Sequence, residues 1–155
     1  MTPRMHRLAV ALVGPLGLLS LLLGSGQARA ETPAQTAAAF GLLGTWAVDC
    51  RFPPSIANAY LTYAAAPGGN IAHDRDFGSQ RNIGEVVRAT LTAGGIDLVV
   101  FFPVSAQSRQ ITITKAGDGR MRTMTDSFIN ANEYAVRDGV LLATGTQMPW
   151  QMRCR

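Results

Sequence analysis

The sequence predicts an all-β protein: a small antiparallel up-and-down β-barrel of eight to ten strands with a short N-terminal helix, or alternatively a β-sandwich. Three observations carry that expectation. Segments rich in β-branched and aromatic residues recur about every ten residues, punctuated by Gly, Pro, Asn and Asp. One of them alternates strictly, Ile111 and Ile113 against Thr112 and Thr114, which is the period of a strand with one buried face. Two cysteines, Cys50 and Cys154, stand near the two ends of this pattern.

Residues 1–30 carry the marks of an export signal and are set apart from the fold. Arg4, His6 and Arg7 make a positive start, and Leu8 to Leu23 is an uncharged apolar run. Ala28-Arg29-Ala30 then places small residues where a signal peptidase requires them. The sixteen residues of the run would reach about 24 Å as a helix, short of the ~30 Å of a hydrocarbon core, so they read as a cleaved signal and not as a retained anchor. No cysteine follows the run to carry a lipid. The expected mature chain, residues 31–155, is a single domain that is periplasmic or secreted from a bacterium.

Removing the signal changes the charge argument. The whole chain has a formal charge of +4, but Arg4, Arg7 and Arg29 leave with the signal, so eleven basic residues face ten acidic ones. A nearly neutral body with interspersed signs gives no support for nucleic-acid binding.

The elements follow in order. Thr32 caps a helix, Pro33 suits its first position, Ala34 to Phe40 continue it, and Gly41 ends it. Gly44 to Cys50 reads as the first strand, stopped by Pro53-Pro54, and Ala59 to Ala66 as the second, stopped by Pro67-Gly68-Gly69-Asn70. Ile71 to Phe77 is a third whose charges place it at an edge or in a loop. Glu85 to Thr92 and Ile96 to Pro103 flank Ala93-Gly94-Gly95 as a hairpin. Gln110 to Lys115 turns through Gly117-Asp118-Gly119 into Arg120 to Asp126. Glu133 to Arg137 and Val140 to Thr146 flank Asp138-Gly139, and a terminal strand carries Trp150, Met152 and Cys154.

In an oxidising compartment an isolated cysteine pair reads as a disulfide. Cys50–Cys154 would close a loop of about 104 residues, for which chain entropy assigns about 4.7 kcal/mol. Its geometry needs Cα atoms within about 7 Å, so the first and last strands must be neighbours or nearly so. A meander whose ends meet is a closed barrel; a sandwich with paired terminal strands satisfies the same restraint.

Gly44-Thr45-Trp46, after a short helix and opening the first strand, resembles the Gly-x-Trp start of lipocalin-like (calycin-type) barrels. The resemblance implies that Gly44 turns the chain into the barrel, that Trp46 plugs its closed end, and that a basic residue near the last strand stacks over that indole. Arg153 is the candidate, with Arg155 second. The mature length is also similar to that of the smaller relatives, fatty-acid-binding proteins and the periplasmic metalloprotease inhibitors of Gram-negative bacteria, although those inhibitors place their disulfide over a much shorter loop.

Several residues are candidates for chemistry. His73-Asp74-Arg75-Asp76 is the most polar cluster of the mature chain, and on a strand His73 and Arg75 face one way while Asp74 and Asp76 face the other. That split argues against a metal site or an acid–base pair, and favours a solvated edge or loop. Met121, Met124, Met148 and Met152 suit core packing better than copper(I). Tyr60, Tyr63, Phe77, Phe101 and Phe102 are candidates to line a ligand cavity, as a closed barrel can hold one small ligand. Arg88 and Arg122 interrupt small or apolar strands, and either, if inward, would meet a ligand carboxylate. With a single histidine in the mature chain no nucleophile–base pair stands out, and neither a catalytic set, a cofactor nor a metal is called for.

The expectation is therefore an exported binding protein for a small apolar or amphipathic ligand. The alternative is a protein-interaction module, such as a protease inhibitor acting through the mature N-terminus, Glu31 to Ala39. An enzyme using His73 with Asp74 or Asp76 ranks last.

Overall fold

The computed structural model describes residues 30–131 and 133–154. The expected signal therefore lies outside the described residues except for Ala30, as does Arg155. The elements are α1 (Pro33–Phe40), β1 (Gly44–Ala47), β2 (Tyr60–Ala65), β3 (Ile71–Asp76), β4 (Arg81–Thr92), β5 (Gly95–Phe102), β6 (Gln107–Lys115), β7 (Met121–Phe128), β8 (Glu133–Arg137), β9 (Val140–Leu141), β10 (Thr146–Gln147) and β11 (Met152–Arg153). A 3-10 turn covers Pro67–Gly69.

All eleven strands belong to one antiparallel sheet in the order β10-β9-β8-β7-β6-β5-β4-β3-β2-β1-β11. This is the expected meander, and a single sheet disposes of the sandwich. It curls into a half-barrel. The far flank is drawn back by one pair, in which the Met121 and Gln151 amides donate to each other's carbonyls at 2.9 and 2.8 Å. Gln151 immediately precedes β11, which pairs with β1, so the C-terminal segment stitches β7 to the start of the meander. Cys50 and Cys154 form the disulfide, with Cα atoms 5.5 Å apart.

Two expectations need correcting. β3 is not an edge or a loop: it pairs with β2 on one side and β4 on the other along its whole length. Its charges are tolerated there because alternation sends Asp74 and Asp76 outward, while His73 and Arg75 lie against aromatic rings inside. The segment from Val140 to Thr146 is two short strands and not one, because a turn through Gly145 (φ 69°) reverses the chain between Leu141 and Thr146.

Helix α1 forms for the expected local reasons. The Thr32 side chain accepts from the Gln35 amide at 3.3 Å, and the Gln35 side chain accepts from the Thr32 amide at 2.8 Å, a reciprocal capping box. The helix packs on β4 and β5 and closes one end of the half-barrel. Lys115 at the end of β6 donates to the Phe40 carbonyl and lies 4.5 Å over its ring, placing a cation at the helix C-terminus. Trp46 is buried, and its indole N–H donates to the Leu42 carbonyl at 2.7 Å, which locks the helix exit to β1. Gly44, at φ 132°, makes the turn between them in a conformation that other residues rarely adopt. The core between α1 and the middle of the sheet is apolar, with Ile71, Val86, Ile96, Leu98, Ile113 and Met121 among its members.

Three β-bulges interrupt the alternation. Val87 is unopposed between the Val86–Val100 and Arg88–Val99 pairs, Met124 between Thr123–Ile113 and Thr125–Thr112, and Ala135 between Val136–Asp126 and Tyr134–Ser127.

Candidate functional site

At the end away from α1 the interior opens into a cavity of about 650 Å³. That lies within the roughly 300–1,000 Å³ of pockets that hold small molecules. The curled sheet supplies one side through inward residues of β2, β3, β6 and β7. The other side is β8–β10 together with Gln147 to Gln151, so the chain after the meander folds back as a wall. Leu61, Ile111, Val136, Leu141 and Met148 make that lining largely apolar.

Its floor is charged. Tyr63 lies opposite His73, and Leu61 opposite Arg75, in the β2–β3 ladder, so all four share the inner face. The His73 ring stacks on Tyr63 at 4.4 Å and meets the edge of Phe102 at 6.2 Å. The Arg75 guanidinium lies 4.2 Å over Phe102. Across the floor, Arg109 Nε approaches Asp126 Oδ1 to 2.7 Å in an ion pair whose side chains are 12% and 10% exposed, without the linearity of a hydrogen bond. Arg109 also stacks over Phe128 at 4.5 Å.

Gly84 makes the arrangement possible. It faces His73 in the β3–β4 ladder, and a β-carbon there would come within 2.8 Å of the Phe102 ring and 2.9 Å of Val100 Cγ1. The missing side chain lets Phe102 cross β4 and reach both His73 and Arg75.

Burial sets the protonation states. His73 is 1% exposed, and its pKa falls to about 3, chiefly through burial and then the Arg75 charge, with the Thr62 backbone and Asp74 opposing. The ring is therefore neutral at ordinary pH, with a buried Nδ1 that has no partner. Burial likewise raises the Tyr63 hydroxyl, so it stays protonated. Asp126 is raised by burial, against the pull of Arg109 and Arg75. Arg75 is lowered by burial but, as a guanidinium, remains charged.

The chain matches no known protein family, curated protein or solved structure.

Of the residues singled out as ligand-lining, Tyr63 and Phe77 are in the cavity wall. Phe102 is buried beneath it, whereas Phe101 is exposed. Tyr60 is elsewhere: its hydroxyl lies 3.2 and 2.8 Å from the Cys50 and Phe52 carbonyls and holds the loop after β1. Arg88 is exposed on the outer face. Arg122 lies 4.6 Å over Trp150 and donates to Gln147 at 3.3 Å, bracing the back wall from outside.

The polar cluster divides as alternation requires. His73 and Arg75 enter the cavity wall, Asp74 binds Arg81 through both oxygens, and Asp76 accepts from the Gly78 amide at 2.8 Å. Arg153 stands opposite Trp46 in the β1–β11 ladder.

Sequence reasoning missed Arg109, Asp126 and Gly84. Arg109 shares the parity of Ile111 and Ile113, a signal that would have found it. Asp126 had none, since counting by twos from the buried Met121 puts it outside.

Among the described residues no group of three or more His, Cys, Asp or Glu converges on a metal position. No described helix is long and apolar enough to cross a membrane.

Proposed function

We propose that this protein is an exported, lipocalin-like carrier that holds one small amphipathic molecule in the open end of its half-barrel. The observation that carries this reading is the cavity of about 650 Å³, with largely apolar walls and a charged floor, framed by a curled sheet whose β1–β11 edge a disulfide fastens. A cavity with these properties solvates an apolar chain and a polar head at once. The Gly44-Thr45-Trp46 start, with its buried indole at the helix-capped end, supports the lipocalin-like assignment. The disulfide supports maturation in an oxidising compartment.

The protease-inhibitor alternative draws less support. Glu31 to Ala39, the segment it would use, is mostly helix α1, with Thr36 and Ala37 buried against the sheet.

Titration with N-phenyl-1-naphthylamine, a neutral apolar fluorophore, tests the carrier. Saturable one-to-one enhancement that Val136→Trp abolishes, by filling the cavity, is expected. Enhancement that is absent, or unaffected by that substitution, refutes it.

A further inference from the structure

The cavity floor carries an unbalanced charge. Arg75 and Arg109 each contribute a positive charge, Asp126 is the one carboxylate among the described lining residues, and His73 is neutral. Asp126 sits against Arg109, and no described carboxylate lies within 4 Å of Arg75. The Arg75 Nε is buried without a hydrogen-bond partner, and so is His73 Nδ1 two residues away on the same face. A half-buried cation with no carboxylate at ion-pair distance costs stability: Asp126 acts on it only from beyond 4 Å, and the ring of Phe102 offsets only part of that cost. Groups arranged at such cost are the expected signature of a binding site.

We propose that the cavity takes an amphiphile with a single carboxylate head, for which Arg75 is the counter-ion, while the chain lies along Leu61, Ile111 and Val136. This rests on the carrier reading above and adds the class of ligand. One negative charge balances the floor, whereas a cation would add a third positive charge and a neutral head would leave Arg75 unpaired. The planar guanidinium fork matches a carboxylate in two-point contact. The unpartnered His73 nitrogen, as donor or acceptor according to tautomer, is a second polar point beside it. Gly84 is a positioning residue here, since it admits the Phe102 ring on which Arg75 rests.

The test is calorimetric titration of the disulfide-bonded protein with decanoate, decan-1-ol, decanesulfonate and decyltrimethylammonium at neutral pH. Decanoate should bind at least about 10-fold more tightly than the alcohol, the size of one charge-assisted contact, and the ammonium should bind weakest. Arg75→Met should erase the preference for decanoate while leaving decanol and the neutral fluorophore bound. Arg75→Lys, which keeps the charge and loses the fork, should fall between. Arg75→Met should also raise the Tm of the ligand-free protein by a few degrees, an opposite sign to that of a residue kept for packing.

Equal affinity for decanoate and decanol, or a preference that survives Arg75→Met, overturns the inference while the carrier reading stands. Tighter binding of the sulfonate overturns the carboxylate assignment. If neither the series nor the fluorophore binds, both readings fall.

Discussion

Gly84→Ala is the substitution by which the packing of the site is most sharply tested. The added β-carbon would lie 2.8 and 2.9 Å from Phe102 Cε1 and Cδ1, and 2.9 Å from Val100 Cγ1, inside the distance that real β-carbons keep. Phe102 cannot simply swing away, because Arg75 lies over one face at 4.2 Å and His73 meets it at 6.2 Å. Overpacking of this kind costs about 1–3 kcal/mol. For a domain of this size that lowers Tm by roughly 4–12 °C. Urea denaturation followed by the fluorescence of Trp46 and Trp150 would measure it. The decisive comparison is a double-mutant cycle with Phe102→Leu, which removes the ring edge that the new methyl strikes. The cost of Gly84→Ala should shrink by at least about 1 kcal/mol in the Phe102→Leu background. Costs equal in both backgrounds to within about 0.5 kcal/mol would show that Gly84 is not there for Phe102.

Three further outcomes are expected. The double variant Cys50→Ser, Cys154→Ser should lose up to about 4.7 kcal/mol in urea denaturation, and a loss under about 1 kcal/mol would mean that the C-terminal segment stays in place without its staple. Asp126→Asn should cost about 1–3 kcal/mol, since it leaves the Arg109 guanidinium without the carboxylate that lies against it, and pairing it with Arg109→Met should recover part of that; no recovery would argue against the ion pair as the cause. His73 has a folded-state pKa of about 3, below the roughly 6.5 of an unfolded chain, so its contribution is complete above that value and is lost as pH falls between them, by up to about 1.4 kcal/mol per pH unit. Asp126, raised by burial, works in the opposite sense as pH falls, so the acid limb should be compared with that of His73→Phe, which should be shallower; identical limbs would place His73 in contact with water.

Much of the architecture is legible in the sequence. The capping residues Thr32 and Gly41 bound α1 where expected, because a helix start and stop depend on local backbone and side-chain hydrogen bonds. The Gly94-Gly95 and Gly117 to Gly119 turns separate the strands they are expected to separate, and the cysteines make the first and last strands neighbours, although β10 stays at the opposite edge and the meander closes only to a half-barrel. β3 is one exception, beside the split of Val140 to Thr146: its charges, weighed as a group, suggest an edge, although alternation divides them between two faces. The site is legible in part. His73, Arg75 and Tyr63 stand out in the sequence, but not their stacking, since that depends on the register of β2 against β3 and on the gap at Gly84.

Local chemistry and strand period, read along the chain, are enough for a short helix, a succession of antiparallel ribbons, the inner face of each uninterrupted stretch, and a covalent bond between the first and last strands. Which charges the cavity contains depends instead on how the strands pack together. Val87 bulges out of β4, so Arg88, which shares the parity of the buried Gly84 and Val86, turns to the outer face. Met124 bulges out of β7, so Asp126 turns inward to meet Arg109. One extra residue exchanges the two faces of everything that follows it. Where that residue is accommodated depends on how the partner strand packs, which the period of a single strand does not record.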